Sequence, residues 1–260
     1  HTGVTLEPRS VIGDWDPADE RLTLRYSGQV PHMIQAVLAR HMGLLDGNVR
    51  VIAQDIGGSF GIKIHAYGDE LAVCVAARLL ERPVKYVADR AESFVADIHA
   101  REHVVTARMG FGADGTIVGL DVDDLTGIGP FSVYPRTSAV ECNQVLGLCG
   151  APYGLAHYRA RGRVVFQNKA PMCQYRAVGH PIAMAVTDGL LEEGAALLGL
   201  DPVELRRKNL IPDDGYPVKT AAGLTMDDLS QHQTLAKLLE VMDYDGLRAA
   251  SCECYDLVRE

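Results

Sequence analysis

The sequence has few of the features that mark a nucleic-acid-binding, membrane-spanning or disulfide-stabilised protein. Its 25 lysine and arginine residues are outnumbered by 34 acidic residues, which gives a formal net charge of −9, and such a field would repel phosphate groups. No apolar run reaches the roughly 18 residues that a membrane-spanning helix needs, and no secretory signal is recognisable. The six cysteines include no C-x-x-C pair. This pattern predicts a cytoplasmic protein with small-molecule or protein partners and no nucleic acid.

The standard nucleotide and metal motifs are also missing. A phosphate loop requires Gly-Lys-Ser or Gly-Lys-Thr, whereas here Ile62 separates Gly61 from Lys63. The dinucleotide fingerprint G-x-G-x-x-G is excluded because Gly57 and Gly58 are adjacent and the third glycine is wrongly spaced. Histidines and cysteines form no cluster at metal-ligand spacing, and neither a four-cysteine iron–sulfur pattern nor a flavin fingerprint occurs. We therefore expect no side chain of this chain to ligate a metal directly.

The hydrophobic pattern predicts a mixed α/β fold. The chain has 260 residues, 47% of them hydrophobic, which is enough for a substantial core. Apolar residues alternate at Leu22, Leu24 and Tyr26, as in a strand, and elsewhere recur at helical spacing. A strand–helix–strand crossover unit is followed by antiparallel hairpin strands and C-terminal helices. The predicted strands are 21–28, 49–56, 84–90, 103–112, 116–124 and 161–169, and the predicted helices are 31–43, 69–82, 181–199, 201–210 and 224–242.

The strongest candidate for a binding site is the glycine-rich turn GGSFGIK at residues 57–63, which lies between a predicted strand and a predicted helix. Glycines let a backbone come close to a ligand, and the amides of such a turn can donate hydrogen bonds. Two alternatives stay open from the turn alone. It could be a tight connection without any ligand, or it could hold an ordinary phosphate.

This turn resembles the GGGFGGK or GGSFGxK motif of the molybdenum hydroxylases, the family of xanthine dehydrogenase, aldehyde oxidoreductase and aerobic carbon monoxide dehydrogenase. Further segments resemble that family's landmarks in the same order, so chance similarity is an inadequate explanation. These segments are LEPRS (6–10), SGQVPHMIQ (27–35), RPVKYVADRAESF (82–94), AREHVV (100–105), FGADGTIVGL (111–120), QNKAPMCQYRAVGHP (167–181) and LGLDPVELRRKNLI (198–211).

The resemblance implies a molybdopterin-binding domain from the large subunit of such an enzyme, covering residues 1–250. Two sub-lobes would meet near residues 100–125, and residues 251–260 would be a truncated continuation. Because the sequence opens at His1 without an initiator methionine, we expect it to be part of something longer. Whether it is a fragment or a natural split subunit is left open.

The resemblance also implies the site residues. In this family molybdenum is held by the dithiolene of a pterin, and the protein supplies hydrogen bonds and shape. The residues that match the cofactor-binding positions are Gln29, Gly58, Phe60, Gly61 and Arg176, and those that match the substrate pocket are Ile64, Ala177, Val178 and His180.

Several pocket positions depart from particular branches of the family. Carbon monoxide dehydrogenases carry a copper-binding cysteine directly after the loop arginine, where this chain has Ala177, and nearby Cys173 is better interpreted as a buried small side chain. Purine-oxidising members carry a glutamate and a phenylalanine where Ile64 and Val178 stand here, and an apolar Ile64 cannot hydrogen-bond a purine edge. His180 replaces a residue that is commonly small. We therefore expect an aldehyde or N-heteroaromatic substrate.

The remaining catalytic parts are expected outside this chain. The family's general-base glutamate lies in a later glycine-rich motif that does not occur here, so this chain alone is expected to be inactive. The resemblance implies a heteromeric complex in which the rest of the large subunit, an iron–sulfur subunit and an FAD subunit are partners. The cofactor would be the cytosine dinucleotide form of molybdopterin. The alternative is a non-catalytic remnant or assembly module of such a complex.

Overall fold

The computed structural model describes residues 2–257, with side chains as far as residue 250. The chain folds into two compact units, each assembled from three segments. The first unit contains residues 1–105, 124–145 and 162–182, and the second contains residues 106–123, 146–161 and 183–260. The division of residues 1–250 into domains stays a prediction. Of the predicted continuation at 251–260, residues 258–260 lie outside the described part of the chain.

The first unit is built on a four-stranded sheet with two helices. Strands β1 (Ser10–Asp16) and β2 (Arg21–Tyr26) form an antiparallel hairpin, and helix α1 (Pro31–Met42) leads to β3 (Val49–Ile52), which runs parallel to β2. Helix α2 (Gly68–Leu80) leads to β4 (Val84–Val87), which pairs antiparallel with β1. The strand order is β3-β2-β1-β4. The predicted strand–helix–strand unit is present as β3, α2 and β4. Its two strands are not neighbours but form the two edges of the sheet, because the β1–β2 hairpin lies between them.

The core of this sheet follows from the alternation in the sequence. Leu22, Leu24 and Tyr26 are all buried, as their period of two predicts. They pack with Leu38 of α1 and Cys74 of α2, whose other apolar residues recur at helical spacing. Burial of this apolar surface holds both helices to the sheet, and so fixes the long connection between β3 and α2 at its two ends.

Among the described residues, the rest of the chain forms a three-stranded sheet, a separate two-stranded sheet and six further helices. The predicted hairpin is confirmed, since strands β5 (His103–Phe111) and β6 (Ile117–Gly127) are neighbours joined by a turn in which Gly112 N donates to Thr116 O over 2.8 Å. Asp201 caps the helix predicted at 201–210, and its side chain accepts from the backbone N–H groups of Val203 and Glu204. None of the helices that the structure describes is long and apolar enough to cross a membrane. The elements are α3 (Arg90–Ala96), β5 (His103–Phe111), β6 (Ile117–Gly127), α4 (Val140–Leu148), β7 (His157–Val165), α5 (His180–Leu198), α6 (Pro202–Asn209), β8 (Val218–Lys219), β9 (Thr225–Met226), α7 (Gln231–Met242) and α8 (Tyr244–Leu257).

A buried arginine ties together several elements of the first unit. Arg9, which is 1% exposed, precedes β1 in the segment LEPRS. Its Nε donates to Asp97 Oδ1 over 2.6 Å, and its terminal nitrogens donate to both carboxylate oxygens of Asp69 over 2.7 and 2.6 Å. Glu70 Oε1 lies 3.3 Å from the same guanidinium, which also stacks on the ring of Tyr67. Burial raises the pKa of Glu70 to about 7 despite the neighbouring cation.

Replacement of this arginine should destabilise the protein strongly. We expect Arg9→Met to lower the free energy of unfolding by about 3–5 kcal/mol, because it leaves buried carboxylates without their cation. The loss should be larger at pH 8 than at pH 5, since burial raises the pKa of Glu70 to about 7 and this carboxyl group can take up a proton at the lower pH and so avoid an unpaired charge. Denaturant unfolding at the two pH values measures this. The exposed Arg21 on β2 gives the control Arg21→Met, and equal losses in both variants would contradict the prediction.

Candidate functional site

The glycine-rich turn has a backbone that most residues would not adopt. Gly58 and Gly61 have φ angles of +100° and +97°, and Phe60 between them has φ +53°. A Cβ atom on Gly61 would lie 3.2 Å from the carbonyl oxygen of Gln174, which is tighter than ordinary contact. Glycine is therefore required at position 61 both for its backbone conformation and for the close approach of a second segment.

Gln29 fixes this turn from the end of β2. Its side-chain oxygen accepts from the backbone N–H of Gly61 over 3.2 Å and from the hydroxyl of Ser59. Its own backbone N–H donates to the carbonyl of Lys63 over 3.0 Å. Within residues 2–257 no acceptor takes the side-chain NH2 of Gln29, which is exposed. The residue therefore holds the turn with its oxygen and keeps a donor available.

An ion pair between a buried lysine and a half-buried glutamate holds the turn from the other side. Lys63 is 1% exposed, and its Nζ lies 2.8 Å from both Glu7 Oε2 and Ser27 Oγ. The same oxygen of Glu7 accepts from the hydroxyl of Ser27 over 2.6 Å and from the backbone N–H of Gly57 over 3.0 Å. Burial of Glu7 opposes its ionisation, but these hydrogen bonds outweigh burial and lower its pKa. The carboxylate thus joins the N-terminal segment, β2 and the turn.

The loop at residues 174–179 places an arginine next to the turn. Arg176 N donates to Phe60 O over 2.9 Å, and its guanidinium lies 5.8 Å from the centre of the Phe60 ring. The loop bends sharply because Ala177 and Val178 have φ angles of +69° and +51°. No carboxylate in the described part of the chain pairs with the Arg176 guanidinium, which is exposed.

Together these groups form a cluster of hydrogen-bond donors. The backbone N–H groups of Gly58, Ser59 and Phe60 have no acceptor among the residues with described structure, and they lie beside Gln29 and Arg176. An array of free N–H groups and a cation suits a ligand rich in oxygen or negative charge, and does not suit a bare metal ion.

A second observation also favours a large organic ligand. Gln174 is 1% exposed, and neither its Nε2 nor its Oε1 has a partner within the described chain. Over the same residues, no three His, Cys, Asp or Glu side chains come together in a way that could hold a metal. A metal at this site would need an organic ligand of its own, which is how a pterin holds molybdenum. The residues present therefore fit such a group.

Comparison with known proteins identifies the family. Residues 1–210 match the family model described as the molybdopterin cofactor-binding domain. The chain belongs to this family. It is 31% identical to the nicotine 6-hydroxylase large subunit of Paenarthrobacter nicotinovorans over 92% of its own length, and 29% identical to the carbon monoxide dehydrogenase large chain of Hydrogenophaga pseudoflava over 94%. The structure of quinoline 2-oxidoreductase from Pseudomonas putida 86 covers 96% of the chain at 27% identity, with a TM-score of 0.90.

These matches cover only part of each relative. This molybdopterin domain spans 29% of the nicotine 6-hydroxylase subunit, 30% of the carbon monoxide dehydrogenase chain and 32% of the quinoline 2-oxidoreductase chain. The predicted membership of the molybdenum hydroxylases is confirmed, and so is the mixed α/β fold.

The structure brings the predicted cofactor-binding residues together. Gln29, Phe60, Gly61 and Arg176 are linked by direct hydrogen bonds, and Gly58 lies in the same turn. Their contact with a cofactor stays a prediction. The glutamate, lysine and serine behind the turn were not predicted, although Glu7 and Lys63 both lie in segments that carry the resemblance.

The predicted pocket residues occupy different environments. Ala177 is exposed and Val178 is half-buried in the loop, whereas Ile64 is buried in the single 3-10 turn that follows Gly61. His180 begins α5, and its Nδ1 lies 2.8 Å from the carbonyl oxygen of Ala177. Cys173 is buried as predicted for a small apolar side chain, and burial raises the pKa of its thiol to about 11. The pocket role of the first four stays a prediction.

A side chain at position 61 should disturb the turn. We expect Gly61→Ala to destabilise the protein by about 1–2 kcal/mol, since alanine is disfavoured at this positive φ and its Cβ would press on the Gln174 carbonyl. Gly47→Ala is the matched control, because a Cβ there meets no atom within 4 Å and the φ angle is not positive. Denaturant midpoints of both variants measure the difference. A Gly61→Ala protein as stable as Gly47→Ala would contradict the prediction.

Proposed function

We propose that this chain forms one wall of the molybdenum-cofactor site of a hydroxylase that oxidises an aldehyde or an N-heteroaromatic carbon, with water as the source of oxygen. The observation that carries the proposal is the hydrogen bond from Arg176 N to Phe60 O, which brings together the amides of the turn and a guanidinium that pairs with no carboxylate of the described residues. When bound, the molybdenum cofactor supplies the centre that accepts electrons from the substrate.

The protein residues have distinct roles in this proposal. The NH2 of Gln29 and the backbone N–H groups of the turn donate hydrogen bonds to the oxygen-rich end of the cofactor. Arg176 contributes positive charge to the same cofactor. The ion pair of Lys63 and Glu7 keeps the turn in place, so that the backbone donors are oriented before the cofactor binds.

The substrate side would be largely apolar. Ala177 and Val178 present small apolar side chains on the loop, and Ile64 cannot hydrogen-bond a heterocycle. His180 already uses Nδ1 toward the Ala177 carbonyl, which leaves Nε2 as its group for a substrate. Two relatives are named for nicotine and quinoline, both N-heteroaromatic compounds. Ala177 favours such a substrate over carbon monoxide, whose oxidation in this family requires a cysteine after the arginine.

The remaining parts of the enzyme would come from elsewhere. The chain spans about three tenths of its relatives, which are named as a large subunit and a large chain. We propose that the rest of the large subunit supplies the general-base glutamate, and that separate iron–sulfur and FAD subunits carry the electrons away. The cofactor is proposed to be the cytosine dinucleotide form, and the complex to be cytoplasmic. On this proposal the chain alone does not turn over.

Cofactor content tests the proposal most directly. The protein isolated from its source with its partners should contain close to one molybdenum and one pterin per large subunit, by elemental analysis and by fluorescence of the oxidised pterin. Turnover of quinoline in water enriched in oxygen-18 should then give a labelled product. A folded, complete complex with neither molybdenum nor pterin would favour the assembly module over the enzyme.

The loop arginine should be needed for cofactor retention. We expect Arg176→Met in the same complex to lower molybdenum content by about tenfold, since the loss of one charge-assisted contact is worth about 1.5–3 kcal/mol. Arg207→Met is the control, because Arg207 pairs with Glu204 on the surface of the second unit. Molybdenum content unchanged by Arg176→Met would mean that this side chain does not contact the cofactor.

A further inference from the structure

The arginine loop is held by a second arginine. The guanidinium of Arg101 donates to the carbonyl oxygen of Arg176 and lies 5.1 Å from the centre of the Tyr175 ring. Arg101 has φ +65°, a conformation that non-glycine residues adopt rarely and that needs support from neighbouring groups. All three residues belong to the first unit.

The support for Arg101 comes from a buried glutamate. The backbone N–H of Arg101 donates to Glu141 Oε2 over 3.0 Å, and Glu141 lies in the first turn of α4. The same oxygen lies 3.4 Å from Nε2 of His103. On the other side of that imidazole, Nδ1 lies 2.9 Å from both carboxylate oxygens of Asp124, which also accepts from the hydroxyl of Thr126 over 3.0 Å. His103, Asp124 and Glu141 form a buried charged cluster.

The same helix turn holds the other end of the loop. The backbone N–H of Gly179 donates to Gln144 Oε1 over 3.1 Å. A Cβ on Gly179 would lie 2.6 Å from the carbonyl oxygen of Glu141, so the loop and the helix are in close contact. The first turn of α4 therefore meets the loop directly at Gly179 and through Arg101 at Arg176.

We propose that Arg101 is a positioning residue for Arg176, and that the charged cluster of His103, Asp124 and Glu141 keeps Arg101 in place, so that the loop loosens when the cluster loses its proton. The expected loss of cofactor from a loosened loop rests on the function proposed above. The expected loosening of the loop itself does not rest on that function.

The charges of the cluster favour a protonated imidazole. Burial alone would lower the pKa of His103, but the hydrogen bonds and charges of Asp124 and Glu141 outweigh burial and raise it to about 9. This contribution to stability is complete below pH 6.5, the ordinary pKa, and is lost as the pH rises to about 9.

The other groups near the cluster should titrate elsewhere. Glu102 is paired with Lys169, and its pKa is lowered mainly by that lysine, so it stays ionised over this range. Burial raises the pKa of the Cys142 thiol, which lies near Asp124 and Thr126, to about 11. The group facing the cluster that gains or loses a proton between pH 6.5 and 9 is therefore His103 itself.

Hydrogen exchange of the loop tests the proposal without requiring molybdenum. The complete protein with its partners would be followed by mass spectrometry over peptides that cover residues 174–180, from pH 6 to pH 9.5, after correction for intrinsic exchange. These peptides contain the N–H of Arg176, bonded to Phe60 O, and that of Val178, bonded to Tyr175 O. In the unmodified protein, protection should fall as the pH approaches 9.

Three variants distinguish the effect of the charged cluster from the effect of the contact between Arg101 and the loop. Glu141→Gln should move the loss of protection to lower pH by at least one pH unit, because one of the two carboxylates beside His103 is gone. Arg101→Gln should lower protection of the loop by about tenfold and make it independent of pH over this range. Arg101→Lys keeps a cationic donor and should recover part of the protection. The surface change Glu204→Gln is the control and should leave the profile unchanged.

The outcomes are distinct. The proposal would be overturned if a folded Arg101→Gln variant showed the same loop protection and the same pH profile as the unmodified protein. If Glu141→Gln does not fold, the two Arg101 variants still test whether Arg101 holds the loop, since their substitution lies outside the buried cluster. Molybdenum content of each variant is the second readout and should fall together with loop protection. A complex without molybdenum would refute the proposed function, whereas the exchange data would still test the link through Arg101.

Discussion

The glycine turn depends on the ion pair and hydrogen bond that the buried ammonium group of Lys63 makes with Glu7 and Ser27. Removing such an ion from water costs several kcal/mol, and the cost is offset only if the charge is paired and well hydrogen-bonded. Glu7 and Ser27 meet this condition at 2.8 Å each, and Glu7 in turn accepts from the backbone of Gly57. Burial of this charge therefore constrains the backbone. The ion pair is favourable only while the segments that contain Glu7, Ser27 and Lys63 keep their positions.

This constraint explains how the turn can maintain an unfavourable backbone. Phe60 has a positive φ and is 45% exposed, so its own packing cannot account for its conformation. The hydrogen bonds that the Gln29 side-chain oxygen accepts from Ser59 and Gly61, together with the ion pair of Lys63 and Glu7, determine the path of the chain on both sides of Phe60. Along this path the backbone N–H groups of Gly58, Ser59 and Phe60 have no acceptor among the described residues. Strain of this kind commonly marks a ligand site.

The fold could be predicted where it depends on local pattern. The alternation of Leu22 and Leu24 gave a buried strand, and Asp201 with Pro202 gave the start of α6. Helix α4 was not predicted because its apolar and polar residues do not separate onto two faces, and α8 follows a reversal at Asp243, with φ +48°, where the last helix was expected to end.

The site could be predicted only in part, for a related reason. The turn and Arg176 lie in recognisable motifs, but their supporting contacts join residues far apart in the chain. Lys63 and Glu7 are 56 positions apart, and His103 and Glu141 are 38. Asp188 shows the same limit, since its ion-pair partner is Arg206, 18 positions further along the chain and 3.3 Å away.

Two independent polar networks meet at one backbone hydrogen bond. The turn is held by Gln29 and the Lys63 pair, and the loop is held by Arg101 and α4, while Arg176 N and Phe60 O join them at 2.9 Å. Because the joint is made by main-chain atoms, the spacing between the amides of the turn and the backbone of Arg176 does not depend on flexible side-chain torsions. A ligand at the turn would meet backbone donors already oriented, and its binding free energy would not be spent on ordering them. The substitutions that matter most for such a site are therefore those that move either network, including residues that never touch the ligand.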